Sequence, residues 1–195
     1  MRDRTSEEEV AMYNKFMERG DGYAFLNMGT AYLRGSLGLE KDIHKAVDLW
    51  IKAGEHGCSD GYQNVGVAYN NGQVGLETDW KKAQKYYELA AIGGNMTARW
   101  RLGDFAILAD QEERAVKHYM IAAKGGYKDA LDAVRREVAD GNATKEQYEE
   151  ALRAYQKSMD DRKSESRELY SEMKTSSVAE VVRKQKGNDA WLAGL

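Results

Sequence analysis

Gly29-x-x-Tyr32-x-x-Gly35, Gly38-Leu39-x-x-Asp42-x-x-Lys45-Ala46-x-x-x-Trp50-x-x-Ala53-x-x-x-Gly57 returns 37 residues later. The second copy is Gly66-x-x-Tyr69-x-x-Gly72, Gly75-Leu76-x-x-Asp79-x-x-Lys82-Ala83-x-x-x-Tyr87-x-x-Ala90-x-x-x-Gly94. A fixed period of this length means a stack of small supersecondary units. Ala24, Met28 and Tyr32 recur every fourth residue, as do Ala46 and Trp50, so each unit reads as two helices joined by a turn. Gly29 costs its helix about 1 kcal/mol relative to alanine. That cost is explained if the absent Cβ lets the partner helix, marked by Ala46, approach closely while Trp50 supplies the volume. Asp42 and Asp79 precede the second helices as N-caps. Gly57 and Gly94 follow them as stops. Gly35, Gly38, Gly72 and Gly75 punctuate the turns, and Leu39 and Leu76 plug their inner side.

A third unit places Ala98, Leu102 and Gly103 37 residues after Gly61, Val65 and Gly66. Its second helix comes early. Ala115, Tyr119 and Gly126 follow Ala83, Tyr87 and Gly94 by only 32, so the interhelix loop has lost five residues. A degenerate fourth unit begins near Ala130, with Ala151 and Tyr155 on its second helix and Thr144 and Gln147 as a capping box. Asp110 stands where a turn glycine is expected, and Arg135 where the helix-contact glycine is expected.

The Leu/Val-Gly-x-x-Tyr-x-x-Gly, Gly-Leu, Asp, Lys-Ala-x-x-x-Trp/Tyr and Ala-x-x-x-Gly pattern resembles the Sel-one-like repeat, a longer-looped relative of the tetratricopeptide repeat. The resemblance covers roughly Gly22 to Tyr155. It implies an all-α, right-handed α-α superhelix of helix-turn-helix repeats that scaffolds protein complexes. Ala115 to Ala123, Thr144-Lys145 and Leu152 to Gln156 look like arrays of some unicellular algae, a few of which carry an upstream RING domain. That likeness suggests a ubiquitin-ligase assembly as one setting, although a single cysteine cannot furnish the zinc ligands of such a domain.

The expected organisation is an N-terminal extension and capping helix over 1–21 and repeats over 22–57, 58–94 and 95–126. The degenerate fourth repeat, with a long C-terminal helix, takes 127–174, and a tail takes 175–195. Within the extension, residues 1–7 read as disordered and Glu8 to Arg19 as helix. In the long helix Tyr148, Leu152, Tyr155 and Met159 form an apolar stripe that Arg162 and Ser166 interrupt, so its first half should pack and its second run into solvent. The tail reads as flexible, with Arg183, Lys184, Lys186 and Trp191-Leu192 as an alternative docking motif.

Composition narrows the function. Proline is absent, so any segment can be helical. The net charge is −3 with both signs interspersed, which argues against nucleic-acid and anionic-membrane partners. No apolar run is long enough to span a bilayer. The N-terminus does not read as a secretory signal, and the lone Cys58 suits a reducing, cytoplasmic setting. His56-Gly57-Cys58 has no second pair to complete a metal site, and His118 should point outward beside the packing Tyr119. Cys58 starts a helix, where a lowered thiol pKa is conceivable, but no base accompanies it. No catalytic or cofactor motif emerges, so the expectation is a chain without enzymatic activity, cofactor or metal.

In such solenoids the first helices line the concave face. With Gly29, Gly66 and Gly103 assigned to helix contacts, the neighbouring stripe faces a partner. It comprises Tyr23, Leu26, Thr30 and Arg34, then Asp60, Gln63, Val67, Asn70 and Asn71, then Thr97, Trp100, Asp104 and Ile107. Amides would bond a peptide backbone, and Tyr23 or Trp100 would anchor a side chain, unless Trp100 fills the seam between units. Only Arg34 and the asparagines could clamp a carboxylate, so an acidic C-terminal peptide is disfavoured. The reading is an adaptor for another protein or peptide. The alternative is a self-associating structural protein that dimerises through the helix from Lys145.

Overall fold

The computed structural model describes residues 5–72 and 75–192, with side chains described as far as Leu169. Among these residues it is all helical: α1 (Ser6–Met17), α2 (Gly22–Arg34), α3 (Ile43–Glu55), α4 (Ser59–Asn71), α5 (Trp80–Ile92), α6 (Met96–Leu108), α7 (Glu112–Lys124), α8 (Lys128–Ala139) and α9 (Lys145–Leu192). The pairs α2–α3, α4–α5 and α6–α7 pack most extensively, and each hairpin then packs on the next. The α8–α9 pair is looser, and α9 also lies against α7.

Three aromatic rings set into glycine notches hold the hairpins together. A Cβ added at Gly29 would sit 2.7 Å from Trp50 Cδ1 and 3.0 Å from the Ala46 carbonyl oxygen. At Gly66 it would sit 2.7 Å from the Tyr87 ring, and at Gly103 it would collide with Tyr119. The notch therefore admits the ring itself as well as the facing backbone. All three rings are buried, and Trp50 Nε1 donates to the Leu26 carbonyl at 3.3 Å. A second set of small residues serves the contacts between hairpins. A Cβ on Gly61 would lie 2.7 Å from Ala53 Cβ, and Ala98 at the equivalent place is fully buried. Arg135 in α8 offers no notch; it is exposed and pairs with Asp132, and Tyr155 stays only half-buried.

The punctuation works locally. Asp42 and Asp79 accept the N–H groups of Lys45 and Lys82 at 3.0 and 2.9 Å. The same lysines lie over Tyr32 and Tyr69, 5.2 and 5.0 Å from the ring centroids. Thr144 and Gln147 form a reciprocal cap on α9. Gly57 and Gly94 take φ of +83° and +86° after the second helices. Asp110 takes φ +52° in the shortened third loop, holding a left-handed conformation without glycine.

The ends differ from expectation. Ser6 and Glu7, read as disordered, already belong to α1, whose Thr5 and Glu8 make a capping box; residues 1–4 lie outside the described set. α1 starts 37 residues before α3, in the register of a second helix. Tyr148, Leu152, Tyr155 and Met159 are half-buried, and Arg162 ties the helix to the Gly126 carbonyl at 3.2 Å, whereas 160–169 are exposed. The backbone of 175–192, read as a tail, continues α9, while its basic cluster and Trp191-Leu192 fall among side chains outside the described set.

His118 corrects another expectation. It does not point outward: it is half-buried, and its Nδ1 is buried without a hydrogen-bond partner, as is Nε of Arg99. Burial lowers its pKa below 6.5, and the charges of Arg99 and Arg114 lower it further against the opposing pull of Glu88.

Two measurements test these contacts. Gly66→Ala should lose about 1–3 kcal/mol in urea denaturation, because overpacking against Tyr87 outweighs alanine's better helix propensity. The folded-state pKa of His118 lies below its unfolded value, so the unfolded chain takes up the proton first. Its contribution is therefore intact above about pH 6.5 and is lost as pH falls toward the folded pKa. Between about pH 7.5 and 5.5, His118→Gln should accordingly lose less stability than the parent chain, measured by the same denaturation.

Candidate partner-binding groove

The first helices α2 and α4 meet directly, which draws their faces together beside the hairpin contacts. On this surface the expected residues divide by what already holds them. Tyr23 is 66% exposed at the start of α2, and Arg34 is exposed at its end. Gln63 and Asn70 are half-buried and Asn71 is exposed; the Asn70 amide donates to Asn71 Oδ1 at 2.9 Å, linking the two last residues of α4. These side chains keep accessible surface on a rigid helix.

The others are committed to packing. Leu26 joins the cluster around Trp50, and the Thr30 hydroxyl donates to its carbonyl at 2.9 Å. Val67 packs on the Tyr87 cluster, and Ile107 on that of Tyr119. Asp60 accepts from Asn95 Nδ2 at 2.7 Å, tying α4 to the cap of α6. Asp104 accepts from the Tyr119 hydroxyl at 2.9 Å with one oxygen and from Arg101 at 3.3 Å with the other. Burial, then the Asp104 charge, raises the Tyr119 pKa, so that phenol remains a donor.

Trp100 belongs to the seam. Its ring lies 5.6 Å from that of Tyr127, Arg101 covers it at 4.4 Å, and its Nε1 is buried without a partner. Thr97, one turn earlier, is half-buried. The sequence offered no means of telling this seam from an open groove, because Tyr127 lies in the turn between repeats, outside the helical period. Tyr23 is the aromatic left free on this face.

The residues considered for chemistry are occupied otherwise. His56 stacks on Phe25, with ring centroids 5.0 Å apart. Cys58 is buried at the N-cap of α4, and burial, followed by the Asp60 charge, raises its pKa, the reverse of the activation conceivable from its position. Among the described residues no group of three or more His, Cys, Asp and Glu could hold a metal ion, and no helix is long and apolar enough to cross a membrane.

Trp80, which the repeat pattern did not single out, is 69% exposed at the start of α5. The sequence signal for it is the contraction of the third loop, which removes whatever would have lain above.

Comparison with known proteins agrees with this architecture. The crystal structure of a Sel1 repeat protein from Oxalobacter formigenes superposes with a TM-score of 0.67 at 28% identity, covering 80% of this chain and 64% of that one. A protective antigen of uropathogenic Escherichia coli strains, displaying an SLR fold, matches with a TM-score of 0.66 at 24% identity, over 80% of this chain and 34% of that one. The chain thus spans less than two thirds of either relative. No curated protein sequence matches significantly. Proteins built from Sel1 repeats generally serve as non-catalytic scaffolds for protein interaction. The Sel1 repeat model matches residues 23–58, 59–95 and 100–127, more than half of the sequence, and the chain belongs to the Sel1 repeat family.

Proposed function

We propose that this chain is a non-catalytic adaptor whose first-helix face receives a peptide or loop of another protein, without nucleic acid, membrane or cofactor. The observation that carries this reading is the group of accessible side chains on α2 and α4. Tyr23, Gln63, Asn70 and Asn71 keep exposed surface on helices whose opposite faces are fixed by buried rings. An aromatic that loses little entropy on binding, beside amides able to pair with a peptide backbone, suits an extended ligand. Thr97, Trp100 and Asp104 are engaged by Tyr127 and Tyr119 in the third repeat, so they are secondary contributors to this surface. The free Cys58 favours a reducing compartment such as the cytoplasm, and membership of a larger assembly, a ubiquitin ligase among them, rests on family likeness alone.

One observation favours a second role. α9 runs on past the array, with residues 160–169 exposed, which leaves a rod available for pairing with a second copy. Its interrupted apolar stripe makes pairing the weaker reading.

Affinity capture with the intact chain should be compared with a Tyr23→Ala, Asn71→Ala double variant, with helix content checked by circular dichroism. The expected outcome is roughly tenfold or greater loss of specific partners at unchanged helicity. Equal recovery by both would reject the first-helix face. Light scattering of the same samples should give a monomer mass at all concentrations; a concentration-dependent dimer mass would move the assignment to α9.

A further inference from the structure

The residues lost from the third loop uncover part of the second repeat. In the first two repeats the N–H of the capping aspartate reaches back ten residues, Asp42 to the Tyr32 carbonyl at 3.0 Å and Asp79 to that of Tyr69 at 2.9 Å. In the third, the Gln111 N–H reaches back only five, to the Ala106 carbonyl at 2.9 Å. The longer loop also covers its neighbour. A Cβ on Gly75 would lie 3.3 Å from Ile43 Cγ2, and Leu76 joins Ile43 on the cluster around Trp50. Gly75, in the loop of the second repeat, therefore lies against the first residue of α3.

One period later the counterpart of Ile43 is Trp80, and the loop that would cover it is the shortened one. Trp80 is 69% exposed and Leu108 83% exposed. With Phe105 and Ala109 they border an open hollow of about 400 Å³, rimmed by Asn70 and Lys81. Phe105 and Leu108 stand at the positions held by Ala68 and Asn71 in the preceding repeat, so the third repeat adds apolar surface where the second is small or polar. A contiguous apolar patch with a polar rim marks an interaction site more often than isolated exposed residues do.

We propose that this hollow binds a turn of a partner protein that presents an aliphatic side chain followed by a carboxylate, in the manner of Gly75, Leu76 and Glu77 one repeat earlier. The aliphatic group would take the place of the missing loop leucine, against Trp80 and Phe105. The carboxylate would face Lys81, which stands where the first repeat has His44. A second copy of the chain is a poor donor, because Leu76 is engaged in its own core and Leu39 is half-buried. The site shares only Asn70 with the first-helix face, so the two surfaces can fail independently.

The test titrates the intact, ¹⁵N-labelled chain with a blocked peptide having the sequence of residues 71–79. The Trp80 indole N–H resonance should shift saturably with a Kd of about 0.1–1 mM. Changing the peptide's leucine to aspartate should abolish the shift. Trp80→Ala should weaken binding of a dye-labelled copy of this peptide, read by fluorescence anisotropy, by at least about tenfold. Replacing residues 109–111 by the sequence of residues 72–79 restores the five missing positions. This variant should protect Trp80 from acrylamide quenching without peptide and should no longer bind it. An unmoved indole resonance, equal binding of the aspartate peptide, or full binding by Trp80→Ala would overturn the proposal. A Trp80 shift that depends on protein concentration without peptide would assign the hollow to a second copy and overturn the partner named here.

Discussion

The array depends on a ring lying where a Cβ would be. Trp50, Tyr87 and Tyr119 each occupy the space left by a glycine on the facing helix, and the alanines one turn before them, Ala46, Ala83 and Ala115, are fully buried. Truncating such a ring to alanine costs about 3–5 kcal/mol, a large share of the stability of an ordinary domain. The same contact fixes which face of each first helix is unavailable, and so which face is left for anything else. Where the notch is missing, at Arg135, the hairpin loosens, and α9 finds support on α7 as well.

Polar tips refine this packing. Trp50 donates to a carbonyl of its own hairpin, and Tyr119 donates to Asp104, so burial of each ring leaves its donor paired. Trp100 and His118 depart from that rule, each with a buried nitrogen lacking a partner, and both lie in the third repeat. The third repeat is also the one with the short loop, Ala106 in place of the tyrosine, and Asp110 in a left-handed turn. These irregularities are felt at its junctions with the neighbouring repeats. There the regular array gives way to a seam around Trp100 on one side and an uncovered Trp80 on the other.

Much of the fold was legible because its determinants are local or strictly periodic. The caps at Asp42, Asp79 and Thr144 act within three residues of themselves, and the glycine-to-aromatic spacing of the first repeat recurs in the second. The groove was less legible. Periodicity tells which residues share a face with Tyr23, but not which of them a neighbouring turn has already claimed. Trp100 was lost to Tyr127, Asp104 to Tyr119 and Asp60 to Asn95, each a partner on a different segment. His118 and Cys58 follow the same logic. The largest cause of each pKa shift is burial, which packing creates, and Asp60 and Arg114 add to it from nearby in sequence.

Sequence alone therefore determined the repeat, its helices, their caps and the glycine notches, because these rest on backbone hydrogen bonding and on the presence or absence of a single carbon. Only the tertiary structure decided which side chains remain accessible. Exposure is a property of what lies above a residue, and for Trp80 that is a loop from the next repeat, shortened by five residues and unable to reach it.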